Sequence, residues 1–493
     1  MAGFLKRSLI ALFVGSVSSI ALGEVFFKLS LKPVVDQISF LLFTTAACGT
    51  IAFFMLESLN HRPAFLVKRK PGLSFAGLVS WMRANATGLG LAVLFFAIYT
   101  SIGLELNRSS VDSIDNYLDA DNSTWMARIA APGGSSLEMR GPHPFAYFIF
   151  RPLGWLFMLG AGDFALASTL LNTLVGGICV FLAWIFFKRL YGDSVYSFLM
   201  SALLGLSTSH LFFGSVVESY IFSAAALIGF SLLVQNGGSS TFALIASGLL
   251  TFGITLTNFV QNLILFIVSR PRWREFIRFS GWAISLGVLF SLAHAAWFPS
   301  AKLFYLPSDA QAEEEFSLSI FDQPAWRAVG RILLLIRTQL LYTIMAPRPY
   351  VFGEEVGGTF PRFNFFKIVP GTFSLSAYAG MGNVLVGFWA ILLLLAGVLF
   401  LRDLIRTRSP DLRMGFVLCL IFNFVLHLSY GYEPFLYSPD WAYALVFFVG
   451  MSLAPLRMNR LFLGIFLVFL VMLAFNQYGF FNFIFLTIAP YMP

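Results

Sequence analysis

The amino-acid sequence predicts an all-α polytopic membrane protein. Apolar residues (AVILMFWYC) make up 58% of its 493 residues, charged residues only 11%, and the mean hydropathy is +0.81. Several apolar stretches reach the roughly 20 residues that cross a hydrocarbon core of about 30 Å. We therefore expect one transmembrane domain, residues 1–493, with about 11–13 membrane-spanning helices and two large outer-face loops that carry amphipathic helices.

Basic residues give these helices their expected direction across the membrane. They recur in the short connections 61–83, 188–189, 270–278 and 402–413, which the positive-inside rule places in the cytoplasm. The spans predicted on this basis are 8–28, 38–58, 86–104, 163–187, 194–211, 214–235, an interrupted segment 241–268, 279–299, 380–401, 414–430, 440–456 and 460–476.

Two further apolar stretches are expected not to cross: the first lies on the outer face, and the second lies along the membrane or re-enters it. The first is 144–161, and the second is the helical stretch with Arg327, Arg331 and Arg337. If either stretch crossed the membrane, the next basic connection would lie outside the cell, against the positive-inside rule. The aromatic tail after Gln477 is expected to be interfacial.

The predicted regions follow from this order. Lys6 and Arg7 precede an apolar run longer than that of a typical signal peptide, so we interpret it as a retained helix. Residues 1–80 then form an extra N-terminal helical hairpin. The first outer loop covers 105–162, with its polar part at 105–142, and the second covers 300–378.

Composition argues against several other kinds of protein. The formal charge of +8 resides in short loops beside apolar spans, where basic residues set topology and contact anionic lipids, so no nucleic-acid partner is expected. The three cysteines, Cys48, Cys179 and Cys419, lie singly in apolar segments. Neither a disulfide framework nor a zinc site is predicted.

The first outer loop is the predicted site of chemistry, because it concentrates charge in a chain that has little. It holds Asp112, Asp115, Asp119, Asp121, Arg128, Glu138, Arg140 and the step Pro142-His143-Pro144. Carboxylates at a membrane surface are costly unless they are paired, solvated or used. Glu218 and Tyr220, at the predicted tip of a hairpin, and Glu433, in a late outer segment, add further candidates.

Three segments resemble known motifs. Asp121–Arg128 (DNSTWMAR), followed by Gly141–Tyr147 (GPHPFAY), resembles the first outer loop of the GT-C membrane glycosyltransferases. Val217–Tyr220 (VESY) resembles the acidic hairpin of their mannosyltransferase-like members, and Tyr432–Ser438 (YEPFLYS) with Trp441 resembles their late outer segment. The sequence departs from the pattern in that Asn122 replaces a second acid, Phe145 replaces a second proline, and two spans precede the usual first one.

The resemblance implies a GT-C-like fold and a membrane glycosyltransferase, similar to protein O-mannosyltransferases and aminoarabinose transferases. Such an enzyme moves a sugar from a polyprenyl-phosphate donor to an acceptor hydroxyl on a glycan, lipid or protein. It implies a multi-pass protein of the bacterial inner membrane whose site faces the periplasm or exterior. The implied catalytic residues are Asp121, Asp119 and Glu218, and the implied substrate-binding residues are Arg128, His143, Tyr220, Arg331, Arg337 and Glu433.

The chemistry of such a transfer explains these residue types. Breaking the glycosyl–phosphate bond passes through an oxocarbenium-like transition state. The acceptor hydroxyl needs a carboxylate base, and the planar fork of an arginine suits the leaving phosphate. No cofactor is predicted besides the lipid-linked donor; a divalent metal is chemically compatible but is not indicated, and no metal ligand is assigned.

Each candidate also has a structural interpretation that the sequence leaves open. Asp121 is suited to cap a short helix, Asp115 and Asp119 to be solvated, and Glu433 to form a turn before Pro434. His143 is suited to a turn and helix start. Arg331 and Arg337 would serve as lipid anchors, and Glu313–Glu315 as a solvated face.

Two other functional classes fit a polytopic chain with large outer loops. A polysaccharide ligase or polymerase is one, and a transporter or flippase of a lipid-linked glycan is the other. Transporters show paired broken helices at the midplane, whereas this sequence shows one clear interruption, near Thr255–Asn258. The early acidic loop favours the transferase.

Overall fold

The computed structural model describes residues 2–60, 75–109, 114–235, 237, 239–353 and 360–492. The predicted acid Asp112 and the basic residues Arg62, Lys68, Arg69 and Lys70 lie outside this part of the chain. Within it the fold is predominantly helical, and seven helices are long and apolar enough to cross a membrane. The protein is therefore a helical integral membrane protein.

The helices and strands, in chain order, are as follows. The helices are α1 Ala2–Phe27, α2 Val34–Asn60, α3 Phe75–Ala84, α4 Ala86–Leu106, α5 Asn122–Ala130, α6 Ala146–Ala161, α7 Phe164–Tyr191, α8 Ser194–Leu206, α9 Thr208–Phe213, α10 Tyr220–Gln235, α11 Thr241–Ile254, α12 Phe259–Ser269, α13 Trp273–Trp297, α14 Pro307–Ala310, α15 Ala325–Arg337, α16 Met381–Thr407, α17 Leu412–His427, α18 Pro439–Ser452 and α19 Arg460–Ile488. The strands are β1 Tyr350–Phe352, β2 Arg362–Asn364, β3 Phe366–Val369 and β4 Thr372–Leu375.

Two groups of helices have the composition of membrane segments. The seven long ones lie in α1, α2, α4, α7, α13, α16 and α19. The shorter apolar ones, of 10–17 residues, are α6, α8, α10, α11, the 256–269 segment that contains α12, and α17. The predicted total of about 11–13 crossings stays a prediction, since the short helices do not by themselves define a crossing.

The chain divides into two compact units, each built from three separate segments. The first comprises Met1–Ala86, Ser135–Ile149 and Gly237–Glu315, and the second comprises Thr87–Gly134, Phe150–Asn236 and Phe316–Pro493. The prediction of one domain over 1–493 is not tested by this division.

The N-terminal hairpin of the first unit is tightly packed. A Cβ atom on Gly15 would lie 2.6 Å from the Thr45 carbonyl oxygen, so only glycine allows α1 and α2 to approach this closely. The hydroxyl groups of Ser19 and Thr44 form a buried hydrogen bond across the same interface. Small residues and hydroxyl pairs of this kind are typical of helix contacts in membranes.

The core of the second unit is formed by α7, α8, α10 and α18, which pack against one another. Phe186 on α7 stacks on Phe447 of α18 with ring centroids 4.1 Å apart. Trp184 and Trp441 are among the largest fully buried side chains. This rigid apolar body holds the loops that carry the candidate site residues of this unit.

The region 300–378, predicted to be the second outer loop, contains an amphipathic helix as expected. Helix α15 exposes Trp326, Val329, Leu333 and Ile336, whose spacing places them on one face, while Arg331 lies on the buried side. An exposed apolar stripe on a charged helix is typical of a helix in the membrane interface. A one-turn π-helix, Thr338–Tyr342, follows α15 directly.

Three details of the sequence interpretation are wrong. The region 300–378 also contains two antiparallel hairpins, β1–β2 and β3–β4, which were not predicted. The hairpin tip lies at 214–219, after the extra short helix α9. The helix of the last span continues to Ile488 instead of ending at 476, and the Gln477 side-chain amide donates inside the protein to the Leu206 and Ile344 carbonyls.

Candidate functional site

The acidic loop of the second unit has an unusual backbone. Asp115, Leu118 and Asp119 have φ angles of 60°, 55° and 66°, in the left-handed region that non-glycine residues rarely adopt. Turn hydrogen bonds from Asp115 N–H to Ala120 O and from Ala120 N–H to Tyr117 O, both 3.1 Å, close this loop. Such conformations persist only when the surroundings impose them, and they concentrate at functional sites.

A strand of the second outer region supplies part of those surroundings. Leu118 N–H donates to Phe363 O at 3.1 Å, and Phe363 N–H donates to Asn116 O at 2.8 Å. Beside this ladder the Arg362 guanidinium forms an ion pair with Asp119 at 3.1 Å. The two outer regions defined from the sequence therefore contact each other directly within this unit.

Glu218 lies under the acidic loop and is only 2% exposed. Its Oε1 accepts a hydrogen bond from Asp121 N–H at 3.0 Å, and its Oε2 accepts one from Ser219 N–H at 2.7 Å. The side-chain oxygens of Asn107 and Asn172 accept hydrogen bonds from the Val217 and Glu218 N–H groups. These bonds fix the turn between α9 and α10. The predicted catalytic residues Asp121 and Glu218 are thus neighbours.

The pKa of Glu218 is raised to about 8, first by burial and then by the charge of Asp121, while the two backbone hydrogen bonds and Arg128 lower it. The pKa of Asp119 is raised to about 6, first by burial and then by Asp115, while Arg362 lowers it. The loop is therefore a set of interacting carboxyl groups, and a proton on one of them reduces repulsion for the others.

Asp121 itself is half-buried and precedes α5, but its side chain makes no capping hydrogen bond to that helix. The capping interpretation from the sequence is therefore not what the structure shows. Its backbone N–H is bound by Glu218, which fixes the position of the residue while leaving the carboxylate to other interactions.

Glu433 also belongs to this acidic group. It is 2% exposed, and its carboxylate accepts hydrogen bonds from Phe435 N–H at 3.1 Å and Phe365 N–H at 3.5 Å. Its pKa is raised to about 8, mainly by burial and also by Asp119, while the two backbone hydrogen bonds and Arg331 lower it. The turn interpretation holds for Glu433, since it caps the turn that follows, and the same residue lies within electrostatic range of Asp119.

Arg331 has a use that the sequence did not predict. Its Nε donates to His427 O at 3.2 Å, its Nη1 to Tyr432 O at 2.7 Å, and its Nη2 to His427, Tyr430 and Gly431 O at 2.8, 3.1 and 2.5 Å. The guanidinium is mostly occupied by carbonyl groups and is 7% exposed. This geometry argues against both the phosphate-ligand and the lipid-anchor roles; Arg331 instead positions the loop that carries Glu433.

Arg337 and Arg128 remain candidates for an anionic ligand. Arg337 is exposed, and its Nη1 lies 3.5 Å from Ser376 O. The Arg128 guanidinium lies 5.1 Å from the ring centroid of Trp125, a cation–π contact, and is close enough to Glu218 to lower the pKa of that carboxyl.

Aromatic residues line the region around Tyr220. Tyr220 packs edge-on against Tyr437 at 5.3 Å, and Tyr437 in turn lies 4.4 Å from His427 and 6.0 Å from Tyr430. Asp440 is buried close by, on the first turn of α18. Neither this aromatic group nor Asp440 was predicted from the sequence, although Tyr437 lies within the motif Tyr432–Ser438.

His143, in the first unit, contacts the interruption between α11 and α12. Its Nδ1 lies 2.6 Å from Ile254 O, while Leu256 N–H donates to Pro142 O at 2.9 Å and Phe145 N–H to Gly253 O at 3.4 Å. The backbone groups released by the helix break are thus satisfied by the His-Pro step. In the same unit Arg140 pairs with Glu313, so that member of the acidic run is not simply solvated.

Arg362 is the other residue that the sequence analysis missed. It is a basic residue in a region predicted to be outside, and basic residues are depleted there by the positive-inside rule. A basic residue in a region predicted to be outside was the sequence feature that could have identified Arg362 as a functional candidate. Among the residues that the structure describes, no group of three or more His, Cys, Asp and Glu side chains has a geometry that would hold a metal ion.

Comparison with protein-family models gives no matching family, and no curated protein matches the chain.

Proposed function

We propose that the protein is a glycosyltransferase of the GT-C type, which moves a sugar from a polyprenyl-phosphate donor to an acceptor hydroxyl on the non-cytoplasmic face of a bacterial inner membrane. One observation carries the proposal. Asp119, Asp121, Glu218 and Glu433 come from three distant parts of the sequence and form one interacting group, with Arg362 and Arg128 beside it. Such charge is costly in an apolar protein unless it is used.

Asp121 is the proposed general base. Glu218, with a pKa of about 8, is mostly protonated at neutral pH, so the neighbouring Asp121 can keep its negative charge without facing a second anion. Asp121 takes the proton of the acceptor hydroxyl while that oxygen forms a bond to the anomeric carbon. The bond from that carbon to the phosphate oxygen breaks, and polyprenyl phosphate leaves with the electron pair.

The departing phosphate needs a cation. Arg337 is exposed at the end of α15, and Arg128 is half-buried on α5. Their guanidinium groups suit the phosphate by shape and charge. Arg331 contributes indirectly, by holding the loop with Glu433 and the aromatic residues, whose faces suit the apolar side of a sugar ring.

Photolabelling tests this proposal. A polyprenyl-phosphate analogue with a photoreactive group next to the phosphate is crosslinked to the purified protein, and the labelled peptides are identified by mass spectrometry. We expect saturable labelling in 114–128 and 331–348, suppressed by excess unlabelled polyprenyl phosphate. Labelling that does not saturate, or that occurs only elsewhere, would contradict the proposal.

A lipid-linked glycan transporter is the second candidate, and the interrupted helix favours it. The buried polar residues Thr255 and Asn258 lie between α11 and α12, and Gln261 and Asn262 follow in the first turn of α12. Broken helices carry substrate sites in transporters. Proteoliposomes with a fluorescent lipid-linked sugar distinguish the two. Transbilayer movement that persists in Asp121→Asn, without any sugar transfer, would favour transport.

A further inference from the structure

The first unit contains an apolar cavity of about 700 Å³ in the part of the chain that has membrane composition. It lies between α1 and α13, and Cys48 of α2 forms its floor. The lining residues are Ser18, Ala21, Leu22, Phe26 and Phe27 of α1, Cys48 of α2, and Leu289, Leu292, Ala293 and Ala296 of α13. Its volume is in the range of small-molecule sites.

The packing around the cavity is close on both sides of it. Helix α1 packs on α2 through Gly15, and α13 packs on α2 through Gly281, where a Cβ atom would lie 2.9 Å from the Phe54 ring. Small side chains on α1 and α13 nevertheless border an open space between these two helices. Small residues inside a membrane normally let helices pack directly on each other. Here α1 and α13 each pack closely on α2 but remain separated from each other, which leaves the cavity between them.

The dimensions of the cavity match one leaflet of a membrane. Its α1 lining runs from Ser18 to Phe27, which at 1.5 Å per residue is about 14 Å. That is about half of a hydrocarbon core of roughly 30 Å. Ala21, Phe26 and Ala293 are exposed, so the cavity opens sideways, towards the space that lipid chains occupy.

Two lysines lie at the end of the cavity where the lining stops. Lys28 directly follows Phe27, and Lys32 ends the short turn after it. Both are exposed, and neither forms an ion pair with any residue in the described part of the chain. Of the nearby acids, Glu24 accepts hydrogen bonds from Ser30, and Asp36 is buried and accepts one from the Ser308 N–H.

Charge complementarity therefore specifies the headgroup. The predicted topology places Lys28 and Lys32 on the outer side, where the positive-inside rule disfavours lysine. Lysines beside a membrane attract anionic lipid headgroups, at about 1 kcal/mol per residue. An acyl chain fills the apolar space, and a phosphate at its end meets the two ammonium groups.

We propose that this groove is a binding site for one anionic phospholipid of the leaflet at the 28–33 end of the hairpin, with an acyl chain between α1 and α13 and its phosphate at Lys28 and Lys32. The site is independent of the proposed transferase activity. A chain confined to one leaflet favours a phospholipid over a long polyprenyl chain.

Native mass spectrometry of the full chain tests the site. The protein is incorporated in nanodiscs with equal phosphatidylglycerol and phosphatidylcholine, released, and analysed for retained lipid. We expect one retained phosphatidylglycerol in the parent protein. Ala293→Phe, which fills the groove from an exposed position, and the double variant Lys28→Gln with Lys32→Gln should each reduce its occupancy at least several-fold.

Two control variants separate the site from general lipid contact. Leu394→Phe adds bulk at a position of α16 that is 71% exposed, and Lys367→Gln removes an exposed charge elsewhere; neither should change retention. Equal retention of both lipids, or unchanged phosphatidylglycerol in both groove variants, would overturn the proposal. So would displacement of the retained lipid by an equimolar polyprenyl phosphate, which would make the groove a donor site. Because the lysine variant leaves the apolar packing intact, the test stands even if Ala293→Phe does not fold.

Discussion

The carboxylate of Glu218 accepts the backbone N–H of Asp121 at 3.0 Å, across 97 residues of sequence. This bond joins the tip between α9 and α10 to the acidic loop. It also brings two carboxyl groups together, and the buried one, with its raised pKa, is the one that holds the proton. Asp121 therefore lies beside a carboxyl group that is mostly neutral at neutral pH.

Replacing Asp121 by Asn tests the proposed base. Asn keeps the size of the side chain, and the backbone bond to Glu218 does not depend on it, so folding and donor binding should survive. Sugar transfer should fall by about 10² to 10⁴-fold, the usual contribution of a general base. The measurement is transfer from a radiolabelled polyprenyl-phosphate sugar, alongside donor photolabelling.

Asp163→Asn is the matched control for this change. Asp163 is an exposed residue of the same unit whose side chain caps α7, and Asn caps helices equally well, so activity should be unchanged. Parental activity in Asp121→Asn, with loss in Asp119→Asn or Glu218→Gln, would assign the base to another carboxylate. Full activity in all three would end the transferase proposal.

The buried acids should make stability depend on pH. The pKa values of Glu218 and Glu433 are each raised from 4.5 to about 8 in the folded protein, so between these values the folded chain binds more protons than the unfolded chain. The contribution of these two acids to the free energy of unfolding is therefore largest below pH 4.5. It is lost as the pH rises through about 8, because the buried carboxyl groups must then ionise. The melting temperature in nanodiscs should fall between pH 6 and pH 9.

Glu433→Gln provides the comparison for that pH dependence. Glutamine resembles the protonated acid and does not titrate, so the fall between pH 6 and pH 9 should be smaller in this variant. Glu314→Gln, at an exposed position, should leave the slope at its parental value. A melting temperature that rises with pH, or an identical slope in Glu433→Gln, would show that Glu433 is not a buried neutral acid.

Arg331 and Arg337 should respond differently to the same substitution. Arg331→Lys loses most of the hydrogen bonds to the His427–Tyr432 carbonyls, and each bond to a charged group contributes about 1.5–3 kcal/mol. Its melting temperature should fall clearly. Arg337→Lys keeps the exposed charge but loses the fork, so stability should be unchanged while the KM for the donor rises by roughly tenfold.

Melting curves and donor titrations of the two variants decide between these roles. An Arg331→Lys protein with parental stability and a raised donor KM would restore Arg331 as a phosphate ligand. If the KM for the donor stays at its parental value in both Arg337→Lys and Arg337→Glu, Arg337 does not bind the donor phosphate.

Cysteine labelling tests the predicted topology. Ser136 and Ser308 are exposed in the first unit, and both lie in regions predicted to be outside. In a background without Cys48, Cys179 and Cys419, single cysteines at these positions should react with a membrane-impermeant maleimide added to intact cells. Labelling only after the membrane is permeabilised would reverse the topology and place the proposed site on the cytoplasmic side.

Local sequence features predicted most of the helices. The apolar lengths of α7, α13 and α16 define spans whose ends agree with the structure to within about six residues. The β3–β4 hairpin was missed although Pro370-Gly371 marks its turn, because strands of four residues have too short a pattern to be recognised beside long apolar helices.

The sequence by itself determined that this is a helical membrane protein and which loops concentrate charge, because helix length and hydropathy are local properties. Only the tertiary structure decided which charges meet. It paired Asp119 with Arg362, placed Glu218 beneath Asp121, and turned Arg331 inwards to the backbone around Gly431. These contacts join residues roughly 100 or more positions apart, and burial, which raises the pKa of each acid, depends on all the segments that surround it.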